Sequence, residues 1–311
     1  MDNLTIQKKY IFIGGTGRCG TNITKDILTK SEVVGSLPFE HRFIIDPNGI
    51  IDFYNSFNYS WSPYMSDKKL KNLIIFLKNL SQKNFKKTSY IDWELSKWFP
   101  NFDLRNDELF NNLIQFKYTA NWPGSSVDDN IFYFTKPFAK EKLKSILSDY
   151  IINNFNDYLD YNKKSCFVED NTWNILYANE LFELVPNSKL LHLVRDPRDV
   201  ISSFMHQDWC PHDFGMALEF YKSIIERWFK LQQNLPDNFY RIIKFEDLVN
   251  NKIETIKKIC LFSEIEFDKK MLEIQLKKAN IGRWKEHFNS KQKNILNKEL
   301  NSVIHKLNYS I

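Results

Sequence analysis

Apolar residues recur along this chain in two rhythms. Tyr10-Ile11-Phe12-Ile13 and, much later, Lys189-Leu190-Leu191-His192-Leu193-Val194 are short and nearly unbroken apolar runs. Such runs predict strands covered on both faces, as in a parallel sheet. Further strands are predicted at Val33–Pro38, at Cys166–Asp170 and at Tyr240–Phe245. Between and after them the spacing turns helical: Ile23, Ile27 and Leu28, then Trp173 to Val185, Gly215 to Leu231, Ile253 to Phe262, Lys269 to Ala279, and a charged helix at the end. The stretch from 50 to 165 follows the helical rhythm almost alone. Leu70, Leu73, Ile74, Leu77 and Leu80 form one stripe of a helix over Lys68–Leu80, and Leu109–Phe116 and Lys140–Leu159 read similarly. Aromatic residues at Trp93, Trp98, Tyr118, Trp122 and Phe132-Tyr133-Phe134 fall between them and read as loops. Alternating strands and helices on both flanks predict an α/β fold, a mostly parallel sheet flanked by helices. The expected organisation is one domain over 1–311 with a mainly helical insertion at 50–165.

Composition narrows the class of ligand. Of 311 residues, 43% are hydrophobic and 26% charged, ordinary for a globular chain, and the 15% aromatic share leaves rings to spare for stacking. The net charge of +5 comes from Lys and Arg spread along the chain. That pattern favours small anionic ligands over nucleic acid. Four cysteines, Cys19, Cys166, Cys210 and Cys260, make no C-x-x-C pair, so neither a zinc cluster nor a disulfide framework is expected. The first nine residues lack a long apolar run, and no stretch reaches the ~18 apolar residues of a membrane span. A soluble, cytoplasmic protein is the expectation.

The candidate chemistry sits at two strand-to-helix junctions. After the first strand comes Gly14-Gly15-Thr16-Gly17-Arg18-Cys19-Gly20-Thr21. Glycines there let the chain turn tightly and aim several N–H groups at one point, at the positive end of a helix, which makes an anion site. Gly15, Gly17 and Gly20 fit G-x-G-x-x-G, with Glu40 near the place of its ribose-binding acid. Gly15 and Gly20 also have Walker A spacing, but Thr21 and Asn22 stand where Lys and Ser/Thr are needed, against an ordinary ATP or GTP site and its magnesium. A glycine-rich turn without any ligand is the third reading. The second junction is Arg195-Asp196-Pro197-Arg198-Asp199-Val200-Ile201-Ser202-Ser203, where Asp196 can cap a helix and Pro197 suits its first turn. Two such junctions suggest a ligand with two separated anionic groups.

Together, residues 15–21 and 193–203 resemble the two cofactor signatures of the sulfotransferases that use 3′-phosphoadenosine 5′-phosphosulfate (PAPS). Arg241-Ile242-Ile243-Lys244-Phe245-Glu246-Asp247-Leu248 is similar to the family's strand ending in Tyr-Glu-Asp-Leu, and Lys277 to Lys285 to its C-terminal segment, with Ala279 in place of a glycine. The likeness covers 8–45 and 165–290 and lies nearer the tyrosylprotein and glycan branch than the cytosolic one. It implies the P-loop NTPase-like sulfotransferase fold and PAPS as donor, with 3′,5′-ADP as product and no metal. Gly15, Thr16, Gly17, Arg18, Cys19, Gly20, Thr21 and Asn22 would hold the phosphosulfate, and Arg195 and Ser203, eight positions apart, the 3′-phosphate, with Lys277 or Arg283 closing over it. Arg18 would stabilise the leaving oxygen. Glu40 is the candidate base and His41 the alternative. The insertion would form the lid that binds an acceptor, a glycan or another hydroxyl-bearing molecule. In one departure, Glu169-Asp170-Asn171-Thr172 stands where many relatives carry a Lys.

Overall fold

The computed structural model describes residues 7–82, 93–121, 130–276 and 281–310. The strands among these residues, numbered in chain order, are β1 (Lys9–Gly15), β2 (Val34–Gly35), β3 (Phe116–Thr119), β4 (Ile131–Phe134), β5 (Cys166–Glu169), β6 (Lys189–Val194) and β7 (Tyr240–Lys244). The chain divides into two compact units. One comprises Met1–Lys8, Leu37–Ser165 and Glu183–Pro186, the other Lys9–Ser36, Cys166–Phe182 and Asn187–Ile311.

The second unit is the predicted α/β core. Its sheet runs β2-β5-β1-β6-β7, and every pairing is parallel. β1 lies at the centre, so Tyr10 to Ile13 are buried on both faces, which explains their unbroken apolar run. Register places Phe12 opposite Glu169 and Gly14 opposite His192, so the carboxyl ends of β1, β5 and β6 come out together. Ile11, Ile13, Val168, Leu191 and Leu193 form one core with Ile27 and Leu28 of the helix Thr21–Leu28 and with Ile256 and Ile259 of the helix Lys252–Phe262. Each such side chain contributes about 1.5–3 kcal/mol by leaving water. His192 is a polar member of this interior, its ring 4.4 Å from that of Trp228, and burial pushes its pKa down to about 3.

Three elements of this unit differ from the periodicity. The second strand is only Val34–Gly35. The helix expected over Trp173–Val185 is a 3-10 turn, Thr172–Tyr177, followed by a helix Ala178–Leu184, because the Asn171 side chain accepts from Trp173 N–H at 3.0 Å and tightens the entry. The helix expected over Lys269–Ala279 is a 3-10 turn over Lys269–Glu273; Asp268 accepts from Lys270 N–H at 2.9 Å, and Gln275 and Leu276 are not helical. Lys277 to Asn280 lie outside the described residues.

The first unit is mainly helical, with helices Ile50–Tyr59, Pro63–Ser81, Phe102–Leu113 and Lys140–Asn162. Trp98, read as a loop residue, ends a short helix Leu95–Trp98, and the larger departure from the predicted pattern is the antiparallel pair β3–β4. Phe132-Tyr133-Phe134 is therefore a strand rather than a loop, and Phe116 begins β3 instead of ending a helix. Phe116 stacks on Phe134 across the pair at 4.6 Å, and Tyr133 N–H donates to Asp67 Oδ1 at 2.9 Å. Aromatic residues paired across strands favour this over a loop.

Candidate functional site

In the second unit, β1 ends at Gly15 and the chain turns through Thr16–Gly20 into the helix Thr21–Leu28. A Cβ on Gly15 would lie 2.3 Å from Cys19 Sγ and 2.6 Å from the Leu193 carbonyl oxygen, so the loop packs against β6 only with glycine there. Gly20 sits at φ +99°, and a Cβ on it would meet the Phe245 ring at 2.7 Å. The turn leaves the first N–H groups of the helix, at Thr21, Asn22 and Ile23, without partners in the helix, beside a cavity of about 240 Å³. Thr16 and Cys19 are buried, the Cys19 thiol being pushed up to about 11 by burial. These two shape the loop from beneath, as does Gly17, on which the Trp209 ring packs.

The second motif reaches the same place. After β6, Asp196 caps the helix Pro197–Phe204 by accepting from Arg198 N–H at 2.9 Å. Its own N–H donates to Glu246 Oε1, 2.9 Å away, fixing the start of this helix to the helix Phe245–Asn250 that follows β7. Arg195 is 8% exposed and donates from Nη1 to the Arg18 carbonyl oxygen at 3.1 Å, while Arg18 Nε donates to Ser203 Oγ at 3.1 Å. Its guanidinium lies 5.6 Å from the centre of the Phe245 ring. Burial pushes the Arg195 pKa down, opposed by Asp199 and Glu246. Arg18, Thr21, Asn22, Arg195, Ser203 and Arg283 all line the one cavity. Among the described residues no carboxylate does, and the three arginines make its lining positive. Lys277 lies outside the described residues.

Glu40 and His41 belong to the first unit. Glu40 pairs with Arg42, whose Nη1 also lies 3.5 Å from Asp46 Oδ1, and its side chain is 20% exposed. His41 is 2% exposed, stacked on Phe43 at 4.4 Å between centroids and flanked by Phe155 and Phe99. Burial, then the charge on Arg42, pushes it down to about 3. It is a neutral ring in an aromatic nest.

Motif reading passed over one pair. Lys25 Nζ meets Asp170 Oδ1 at 3.0 Å, and both side chains are almost fully buried. Lys25 follows Thr21 by four residues and so stands on the same helix face one turn below the cavity. Asp170, directly after β5, is the site of the noted departure from the family's Lys. Its helix neighbours Thr21, Asn22, Leu28 and Thr29 are mostly polar, so the sequence carried no local signal that Lys25 is buried.

Among the described residues, no cluster of three or more His, Cys, Asp or Glu is placed to hold a metal ion. No helix among them is long and apolar enough to cross a membrane.

The model of the sulfotransferase family matches residues 10–269. No curated protein matches the sequence. Among solved structures, the chain is similar to the sulfotransferase domain from the curacin biosynthetic pathway, at 12% identity and a TM-score of 0.53 over 98% of this chain and 99% of that one. It is also similar to the sulfotransferase domain of the Synechococcus PCC 7002 olefin synthase, at 14% identity and a TM-score of 0.51 over 97% and 95%. At these identities the likeness is one of fold.

Proposed function

Since the chain belongs to the sulfotransferase family, we propose that it transfers a sulfuryl group from PAPS to a hydroxyl of a polar acceptor such as a glycan. The observation that carries this reading is the cavity where Arg18, Arg195 and Arg283 converge with the start of a helix. Fixed donors of this kind suit a ligand with an anionic group at each end.

On this reading the N–H groups of Thr21 and Asn22, with the Gly15–Gly20 loop, hold the phosphosulfate end, and Arg195, Ser203 and Arg283 the 3′-phosphate. The acceptor oxygen forms its bond to sulfur as the bond from sulfur to the phosphate oxygen breaks, and 3′,5′-ADP leaves. Arg18 stabilises the charge that grows on the leaving oxygen. The acceptor proton goes to Glu40, which we prefer to His41 because a half-buried carboxylate is reachable, whereas the His41 ring is enclosed and weakly basic. Arg42 orients the Glu40 carboxylate. A sulfuryl group bears less charge than a γ-phosphoryl group, so arginines and backbone N–H groups suffice without magnesium. We assign acceptor choice to the insertion at 50–165, acting as a lid, where Phe116 is 53% exposed and offers a ring face to a sugar.

The test is a thermal shift with 3′,5′-ADP combined with transfer from radiolabelled PAPS to a panel of hydroxyl acceptors. Millimolar 3′,5′-ADP should raise Tm, more than ATP with magnesium does, and Arg195→Ala should abolish the rise. No rise in the wild type would refute the assignment. Binding without transfer to any acceptor would favour the second reading, a nucleotide-binding module that has lost catalysis, for which the acid Asp170 at the end of β5 speaks.

A further inference from the structure

One buried carboxylate stands behind two of the cationic walls of the cavity. Asp199, in the first turn of the helix Pro197–Phe204, is 1% exposed. Its Oδ2 accepts from Gly282 N–H at 2.7 Å, and its Oδ1 accepts from Trp284 N–H at 2.9 Å. Oδ2 also lies 3.9 Å from Arg195 Nη2. Between the two anchored amides is Arg283, which lines the cavity. The turn that aims both amides at one carboxylate has Gly282 at φ +79°. Two further contacts dock this segment on the same helix: the Arg198 guanidinium lies 4.1 Å from the centre of the Trp284 ring, and Ser202 Oγ is 2.6 Å from His287 Nδ1.

A carboxylate is suited to this place. It presents acceptors only, so each oxygen takes one N–H, and its charge faces the guanidinium of Arg195. An asparagine of the same shape would accept one N–H and turn an NH₂ toward the other. We propose that Asp199 is the positioning residue of the donor site, holding Arg195 and the backbone on both sides of Arg283 in register, so that nucleotide binding and the fixing of segment 282–288 favour each other. This rests on reading the cavity as the donor site.

The experiment is calorimetric titration of the full chain with 3′,5′-ADP for wild type, Asp199→Asn, Arg283→Ala and the double variant, together with amide exchange in the peptide covering 282–288. Asp199→Asn should weaken 3′,5′-ADP roughly ten- to hundredfold, the worth of hydrogen bonds to a charged group. The double variant should lose less than the product of the single losses, because part of what Asp199 does is done through Arg283. In the wild type 3′,5′-ADP should slow exchange in that peptide, a measurement that stands even if Asp199→Asn does not fold. Unchanged affinity in Asp199→Asn, multiplying losses, or exchange indifferent to nucleotide would each overturn the role of Asp199 while leaving the donor site intact. Absence of 3′,5′-ADP binding by the wild type would overturn both.

Discussion

Lys25→Met tests the buried pair beneath the cavity. Lys25 Nζ and Asp170 Oδ1 are 3.0 Å apart, with side chains 9% and 2% exposed, so water screens them little. At an effective dielectric near 20 the attraction is about 5 kcal/mol, most of it offset by what both ions lost on leaving water. Methionine keeps the length of the stem and removes the charge, leaving Asp170 buried and alone, which should cost about 3–5 kcal/mol of stability. Urea denaturation at pH 7.5 reads this directly. Burial already pushes the Asp170 pKa up, and Lys25 opposes it. Without the lysine the carboxyl rises further, so the loss should be largest at neutral pH and shrink as pH falls through the raised value toward 4. Adding Asp170→Asn removes the stranded charge and should recover most of the loss. A single-variant cost below about 1 kcal/mol, or a double variant no more stable than the single one, would refute the reasoning.

Two more outcomes follow from the geometry. Glu40→Gln should bind 3′,5′-ADP as the wild type does and lose turnover by two or more orders of magnitude, roughly the worth of a general base; full turnover would remove Glu40 from the mechanism. His192 should make the fold acid-sensitive: its folded value is about 3 against 6.5 in the unfolded chain, so below pH 6.5 the unfolded chain takes up a proton that the folded one refuses. Its share of the fall in stability should be about 1.4 kcal/mol per pH unit, about 2 kcal/mol by pH 5, and His192→Leu should lessen the slope by that much in a pH series of urea melts, leaving the share due to buried His41.

How far the sequence foretold all this depended on whether the deciding partner was near in the chain. β1 and β6 were legible because a strand covered on both faces has to be apolar throughout, and the two strand-to-helix junctions because glycine clusters and a Pro after a capping Asp mark where strands turn into helices. The contact between Arg18 and Ser203 was not legible, since the resemblance gives the two residues to opposite ends of the donor. Phe132-Tyr133-Phe134 misled because its pairing with Phe116 and Tyr118 is what makes it a strand. Lys269 to Ala279 has helical spacing, but the Asp268 side chain competes for the first turn. His41 reads as a polar neighbour of Glu40 until Phe99 and Phe155, far away in sequence, close around it. Lys25 with Asp170, and Asp199 with Gly282 and Trp284, are partnerships that only the fold creates, and no local pattern encodes them.

Arg18 carries a last consequence. Its backbone has φ +56°, a region where a residue with a side chain is disfavoured relative to glycine by about 1–2 kcal/mol. A laboratory lineage chosen only for heat resistance would therefore drift toward glycine at this position, gaining backbone comfort and losing the guanidinium that spans the two halves of the site. On the role proposed for Arg18, selection for stability and selection for turnover pull in opposite directions on this one residue. Its tolerated substitutions would tell an observer which of the two had been at work.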